Sequence, residues 1–433
     1  MFDFEDNDEQ LLSSSRRTLL GFMGLAAAGS ALAATAQPAR RTAATGSRMS
    51  GPLRSAGAMT FGSDHVLFVA DIAGAAVHAF VFRPGDFTSQ QGVELGNYHN
   101  FEGRDLVRGV DGKLAGLLGT TIDQIVINDM VVHQPSQQIL LSVERGRSTD
   151  AVPVLARINH GEVELIDLSR VAHTQVTIPN EPDPAAMMEF YPQRQFAITD
   201  VKYHDGEIFV TGVSNQKFQS TLHRIAYPFT GKSATATVEI WHPVHAEWET
   251  RAPIIRQLIR DVGGEPYLFA VYGCTPLVRF PLSSLKDGAH VRGDVIGELG
   301  YGSNPIDMTT FINPMDKKEY LLVTIDVRSA SRIAIADMAT APAEPTGVPI
   351  DFGPGGLGKT QGLLPISAQH FAILNAQWAV QVARHPKTGH RLDISTLIVP
   401  FFFERHDGQS EMNFPDGPDP FEYRTHKQDI SRI

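Results

Sequence analysis

Three acidic residues recur at the same place in a repeated phrase: Asp129 in IVINDMVVH, Asp200 in FAITDVKYH and Asp307 in NPIDMTTFI. Asn128, Thr199 and Asn304 accompany them. Carboxylates joined by amide and carbonyl oxygens suit a hard cation such as calcium, which takes about six to eight oxygen ligands. The bland alternative is that each Asp caps a turn or bonds its neighbouring strand. A second candidate is His242-Pro-Val-His245-Ala-Glu247-Trp248-Glu249-Thr250-Arg251. Two histidines followed by carboxylates offer the donors that zinc, copper or iron accept. Pro243 favours a turn over a helix, and the spacing is not HExxH, which excludes a zincin. Arg251 beside these acids suits a bidentate contact with an anionic ligand; the bland reading is a polar loop.

Other motifs carry less. Cys274, the one cysteine, falls in the apolar run AVYGCTPLV and reads as a buried small hydrophobe rather than a copper ligand or nucleophile. No G-x-S-x-G elbow accompanies it. GPGGLGKT (353–360) has P-loop spacing, but QGLLPI follows where a helix must open, so a glycine turn is expected. Lys359 and Gln361 precede the last repeat in the way that Arg251 precedes an earlier one. His133 and His204 end equivalent strands, which predicts a structural role.

The elements that must position these residues recur at intervals of roughly 50–70 residues. A short apolar strand, a turn, an apolar run and a second alternating run appear at 56–82, 125–158, 196–227, 252–282, 304–338 and 360–385. Alternation with period two and β-branched enrichment predict strands, and no unit carries the amphipathic helix of a βαβ crossover. The expected fold is all-β, a β-propeller of six blades over residues 56–403, with 83–124 leaving room for a seventh. VEIWHP and DISTLIVPFFF are expected as outermost strands of units three and six. The repeated phrase resembles the NHL, gluconolactonase-like and YVTN-type propellers. That resemblance implies an exported binding scaffold and, for the gluconolactonase-like group, a metal-dependent hydrolase; the early E-G-P signature of that group is absent.

Composition narrows the chemistry. With 37 Lys and Arg against 48 Asp and Glu, the net charge of −11 argues against a nucleic-acid partner. A single cysteine excludes an internal disulfide and multi-cysteine metal centres, and no CxxCH is present for c-type haem. Residues 13–36, SSSRRTLLGFMGLAAAGSALAATA, pair Arg16 and Arg17 with an apolar run that ends at an A-x-A cleavage candidate. Ser15-Arg16-Arg17-Thr18-Leu19-Leu20 resembles the bacterial twin-arginine signal, which implies export to the periplasm after folding in the cytoplasm. The expected organisation is a signal peptide at 1–36, a linker at 37–55, the propeller at 56–403 and a tail at 404–433. The mature chain is expected to carry no transmembrane segment. The leading expectation is a periplasmic binding or accessory module that takes a small ligand, a metal or a protein partner at the channel mouth. The alternatives are a metal-dependent lactonase built on Asp129, Asp200 and Asp307, and a copper oxidase using His242 and His245.

Overall fold

The computed structural model describes residues 49–399, apart from 64, 101, 149, 189–190, 301, 303, 327–328, 351–352, 365, 367 and 386–390. The expected signal peptide with Arg16 and Arg17, the linker up to 48 and the tail at 404–433 lie outside the described residues. Among the described residues, no helix is long and apolar enough to cross a membrane.

Each apolar run becomes a strand because its alternate residues bury between neighbouring sheets. The chain first lays down β1 (Met59–Phe61), β2 (Val66–Asp71) and β3 (Ala76–Val81) as an antiparallel meander. It then travels away to place β4 (Asp105–Val107) and a helix, α1 (Val110–Leu118). A complete sheet follows: β5 (Ile125–His133), β6 (Gln138–Arg145), β7 (Val152–Asn159) and β8 (Glu162–Leu165). The next strand, β9 (Ala172–Thr177), returns to β3 and completes the first sheet from outside.

Three further sheets follow in sequence. One holds β10 (Asp200–His204), β11 (Glu207–Val213), β12 (Ser220–Ala226) and β13 (Ser233–His242), with β14 (Glu247–Glu249) folded back on β13. The next holds β15 (Arg256–Val262), β16 (Glu265–Val271), β17 (Pro276–Pro281) and β18 (His290–Glu298). β18 runs parallel to β13 and joins the two sheets at their outer edges. Then come β19 (Pro305–Ile312), β20 (Glu319–Ile325), β21 (Ala330–Ala334) and β22 (Gly362–Leu364), with a short helix, α2 (Ile335–Thr340), after β21. Last, β23 (His370–Ile373), β24 (Trp378–His385) and β25 (Arg391–Ile398) take β4 as their fourth strand.

The result is a propeller-like ring of four-stranded antiparallel sheets. Innermost strands touch in the succession β5, β1, β10, β15, β19, β23 and back to β5. The core is correspondingly layered, one apolar layer between each pair of neighbouring sheets. Leu140 and Leu155 meet Leu67 and Phe80, and Phe68 and Val77 meet Val210 and Ile225. Phe209 and Leu222 meet Leu268 and Phe280, whereas Phe269 and Leu277 meet Leu321 and Ile333. Phe311 and Leu322 meet Phe371 and Ala379, and Ile127 and Leu141 meet Val380 and Ile394. Each of the larger side chains, from Val to Phe, contributes about 2 kcal/mol by leaving water.

Three expectations are corrected. Gly362–Leu364 is not the inner strand of a last unit but the outer strand of the sheet before it; the inner strand is His370–Ile373. DISTLIV is a third strand, and the fourth comes from Asp105–Val107, almost three hundred residues away in sequence. Within 83–124, KLAGLL is helical: α1 ends where Gly119 takes a left-handed φ of 62° and returns its N–H to the last turn. That stretch builds no four-stranded sheet of its own among the described residues.

Candidate functional site

The three expected aspartates each lie in an innermost strand, Asp200 as its first residue, Asp307 as its third and Asp129 as the fifth of nine, and their carboxylates repeat one bonding pattern. One oxygen accepts the N–H of the next residue: Met130 (2.8 Å), Val201 (2.9 Å) or Met308 (2.9 Å). The other accepts an N–H from the adjacent innermost strand: Met59 (2.6 Å), Gln257 (2.9 Å) or Phe371 (3.1 Å). The residues just before those second donors are Ala58, Arg256 and His370. The positions at this level therefore alternate Asp129, Ala58, Asp200, Arg256, Asp307, His370 around the axis.

Arg256 and His370 extend the lacing. Arg256 Nε donates to the Ile306 carbonyl (2.6 Å) and its Nη1 to the Thr199 carbonyl (2.9 Å). His370 Nε2 donates to the Ile127 carbonyl (3.0 Å). The Ile127 and Ile306 carbonyls sit at β-bulges, where register shifts between Ile127 and Asp129 and between Pro305 and Asp307. A bulge re-aims the next side chain and frees a ladder carbonyl, which is how Asp129 and Asp307 come to face the axis with a carbonyl beside each. Asn128, the extra residue of the first bulge, donates its amide to the Ala56 carbonyl (2.8 Å).

The charges are unevenly matched. Asp200 pairs with Lys202 at 3.2 Å. Burial, reinforced by Asp307, pushes the Asp129 carboxyl up to about 7 against the pull of Arg256 and Lys202. Burial works against the Lys202 charge, yet Asp200, Asp129 and Asp307 hold its ammonium above the usual range. With three carboxylates against one guanidinium and one ammonium, the group has one anion in excess, and a proton on Asp129 or a bound cation removes it.

His370 completes the arrangement. It is 5 % exposed, and burial holds its ring neutral by pushing its pKa down. A carbonyl partner requires the proton on Nε2, so Nδ1 carries a lone pair, and that atom has no hydrogen-bond partner among the described residues. Donor atoms of Asp129, Asp307 and His370 lie within 4.8 Å of one another.

The second expected group also assembles. His242 ends β13 and is fully buried; Glu249 ends β14 on the facing strand. His242 Nδ1 lies 2.7 Å and His245 Nδ1 2.6 Å from the same Glu249 oxygen. Behind them, His242 Nε2 is 3.3 Å from Glu298 Oε2, a carboxylate with no exposed surface at the end of β18. Burial alone would lower the His242 pKa, but Glu249 and Glu298 more than offset it and hold the ring at about 9.

The remaining sequence candidates lie elsewhere. Arg251 is exposed, with no hydrogen bond or ion pair to the described residues. Asn304 is exposed and bound to Asp326, so it is not an axial residue. Lys359 is exposed, and Gln361 is a buried strut that donates to the Leu299 and Gly358 carbonyls. Cys274 is not in a strand but in the tight β16–β17 turn, half-buried, where it and Thr275 both take left-handed φ of 61° and 66°. His133 is a buried strut, bonded to Ser136 at 2.7 Å and stacked on Phe87. His370, Arg256, Lys202 and Glu298 were not legible as site residues. His370 stands in equivalent phase to Arg256, but the misplaced last inner strand hid this.

No family model matches the chain, and no curated protein matches it. Among solved structures, it is similar to one from a structural and mechanistic study of two prolyl endopeptidases, at 12% identity and a TM-score of 0.28. That match covers 83% of this chain and 50% of the other, so the chain spans half of that protein's length. A likeness of this size assigns neither a fold nor an activity.

Proposed function

We propose that the chain is a six-bladed β-propeller, exported to the periplasm by the twin-arginine route, that acts as a binding module holding a divalent cation at its axis. Support for six blades comes from the closed succession of inner strands and the separate apolar layer at each seam. Support for export rests on Arg16 and Arg17 before their apolar run.

The observation that carries the cation reading is buried His370, whose Nδ1 has no partner among the described residues and one of whose ring nitrogens lies within 4.8 Å of carboxylate oxygens of Asp129 and Asp307. Its Nε2–H is committed to a backbone carbonyl, the partner that fixes a metal-binding imidazole. Two carboxylates and one imidazole suit manganese, iron or zinc better than the all-oxygen calcium shell. Calorimetric titration of chelator-stripped protein with manganese, zinc and calcium tests this. One axial equivalent of manganese or zinc should bind to the wild type and be lost in His370→Ala. Unchanged uptake by that variant overturns the reading. Export is checked separately, since replacing Arg16 and Arg17 by lysine should leave the precursor in the cytoplasm.

A further inference from the structure

Away from the axis, the β13–β14 hairpin carries a donor set of a different kind. The strands pair His242 with Glu247 and Ile240 with Glu249, so His242 and Glu249 are diagonal cross-strand neighbours. The Pro243–Ala246 turn returns His245 over them, and Ala246 takes a left-handed φ of 54° to do so. A non-glycine residue there costs about 1 kcal/mol, and such strain persists where the surroundings over-determine it.

The convergence on one oxygen is the informative feature. Here both Nδ1 atoms meet Glu249 Oε1, at 2.7 and 2.6 Å, and the two rings lie 4.1 Å apart between centroids. The three donor atoms lie within 4.8 Å of one another, close enough to share one ion. Glu298 stands behind His242 at 3.3 Å from Nε2, where a carboxylate fixes the tautomer that leaves Nδ1 free to coordinate. A dication that displaces the proton held by His242 leaves two neutral imidazoles with two carboxylates, a charge of −2 that the dication cancels. His242 and Glu298 are sealed from solvent, whereas the His245 side chain is 40 % exposed, so one side of the group remains open.

We propose that His242, His245 and Glu249 form a second metal site, separate from the axis, for a zinc-class transition-metal dication, with Glu298 as the positioning carboxylate. Two imidazoles and one carboxylate with an open fourth position match the ligand count of zinc centres that bind an exchangeable water or ligand.

Cobalt(II) is the probe, because its visible ligand-field bands report tetrahedral coordination by nitrogen and oxygen. Full-length mature protein, stripped with a chelator, is titrated with cobalt. Wild type and His370→Ala should both develop these bands with one equivalent, which separates this site from the axial one. His245→Ala, at an exposed turn position, should weaken the band-forming site at least about 10-fold, and Glu249→Gln should do the same. Absence of the bands in wild type, or equal affinity and spectrum in His245→Ala, overturns the proposal.

Discussion

Asp200 acts on the backbone before it acts on any ligand. Its two oxygens take the N–H groups of Val201 and Gln257 and its charge faces Lys202, so one side chain ties two sheets at the axis. Asp129 and Asp307 do the same at their seams, which makes the bland expectation and the axial one two descriptions of the same atoms. Asp200 lies outside the proposed ligand set and isolates the lacing role. Asp200→Asn keeps the shape but sets an amide NH2 against an N–H and removes the carboxylate paired with Lys202, a loss of about 1–3 kcal/mol. Urea unfolding should show that loss; unchanged stability would mean that the bridge contributes nothing. His223 is a second residue-scale probe. It is buried beside Thr235, and burial pushes its pKa down to about 4. Its folded value lies below the unfolded one, so its contribution is present above pH 6.5 and lost as pH falls through 4. His223→Gln should flatten the stability profile between those values, by on the order of 3 kcal/mol at most.

Among the elements, the strands that betrayed themselves in the sequence are those with two buried faces. β2, β6, β11, β16 and β20 are nearly continuous apolar runs, and their hairpin partners follow within a few residues. The outer strands carry no such signal. β9, AHTQVT, is almost wholly exposed, and β4 is three residues long; both are held by partners distant in the chain. Thr396 shows how β4 is kept in place: its hydroxyl accepts the Arg104 N–H at 2.8 Å, and its own proton goes to Leu95 O. On the other side of β4, Asp393 accepts the Gly109 N–H at 2.7 Å. Thr396→Val removes the hydroxyl but keeps the volume. Amide exchange should quicken over 104–107 while β23 and β24 stay protected, at a cost of about 1–2 kcal/mol. If exchange in that stretch is unaltered, the Thr396 hydroxyl contributes nothing to holding β4.

At the scale of the whole molecule, stability is distributed among seams rather than concentrated in one core. Two fastenings close the ring: β9 reaches back across a complete sheet to the first meander, and β4 is laid down long before the strands it joins. Neither the first nor the last sheet is complete without a strand from elsewhere in the chain. Ending the chain at 369 removes β23–β25, leaves β4 without a partner and uncovers the edges of β5 and β19. Calorimetry should show one cooperative transition for the intact chain and none for that truncation. A cooperative transition of undiminished enthalpy per residue would mean that the remaining sheets are stable without closure.

Local pattern by itself determined the strand class, the repeat, the phase that aligns Asp129, Asp200 and Asp307, and the donors gathered around His242. Each depends on residues close in the chain, where alternation and turn chemistry act directly. Tertiary structure alone decided that Arg256 and His370 share the level of those aspartates, that Glu298 stands behind His242, and that β4 and β9 complete sheets begun elsewhere. Those are meetings across sheet boundaries, governed by how twisted sheets pack around an axis, and no short-range period encodes which distant residues such packing brings together.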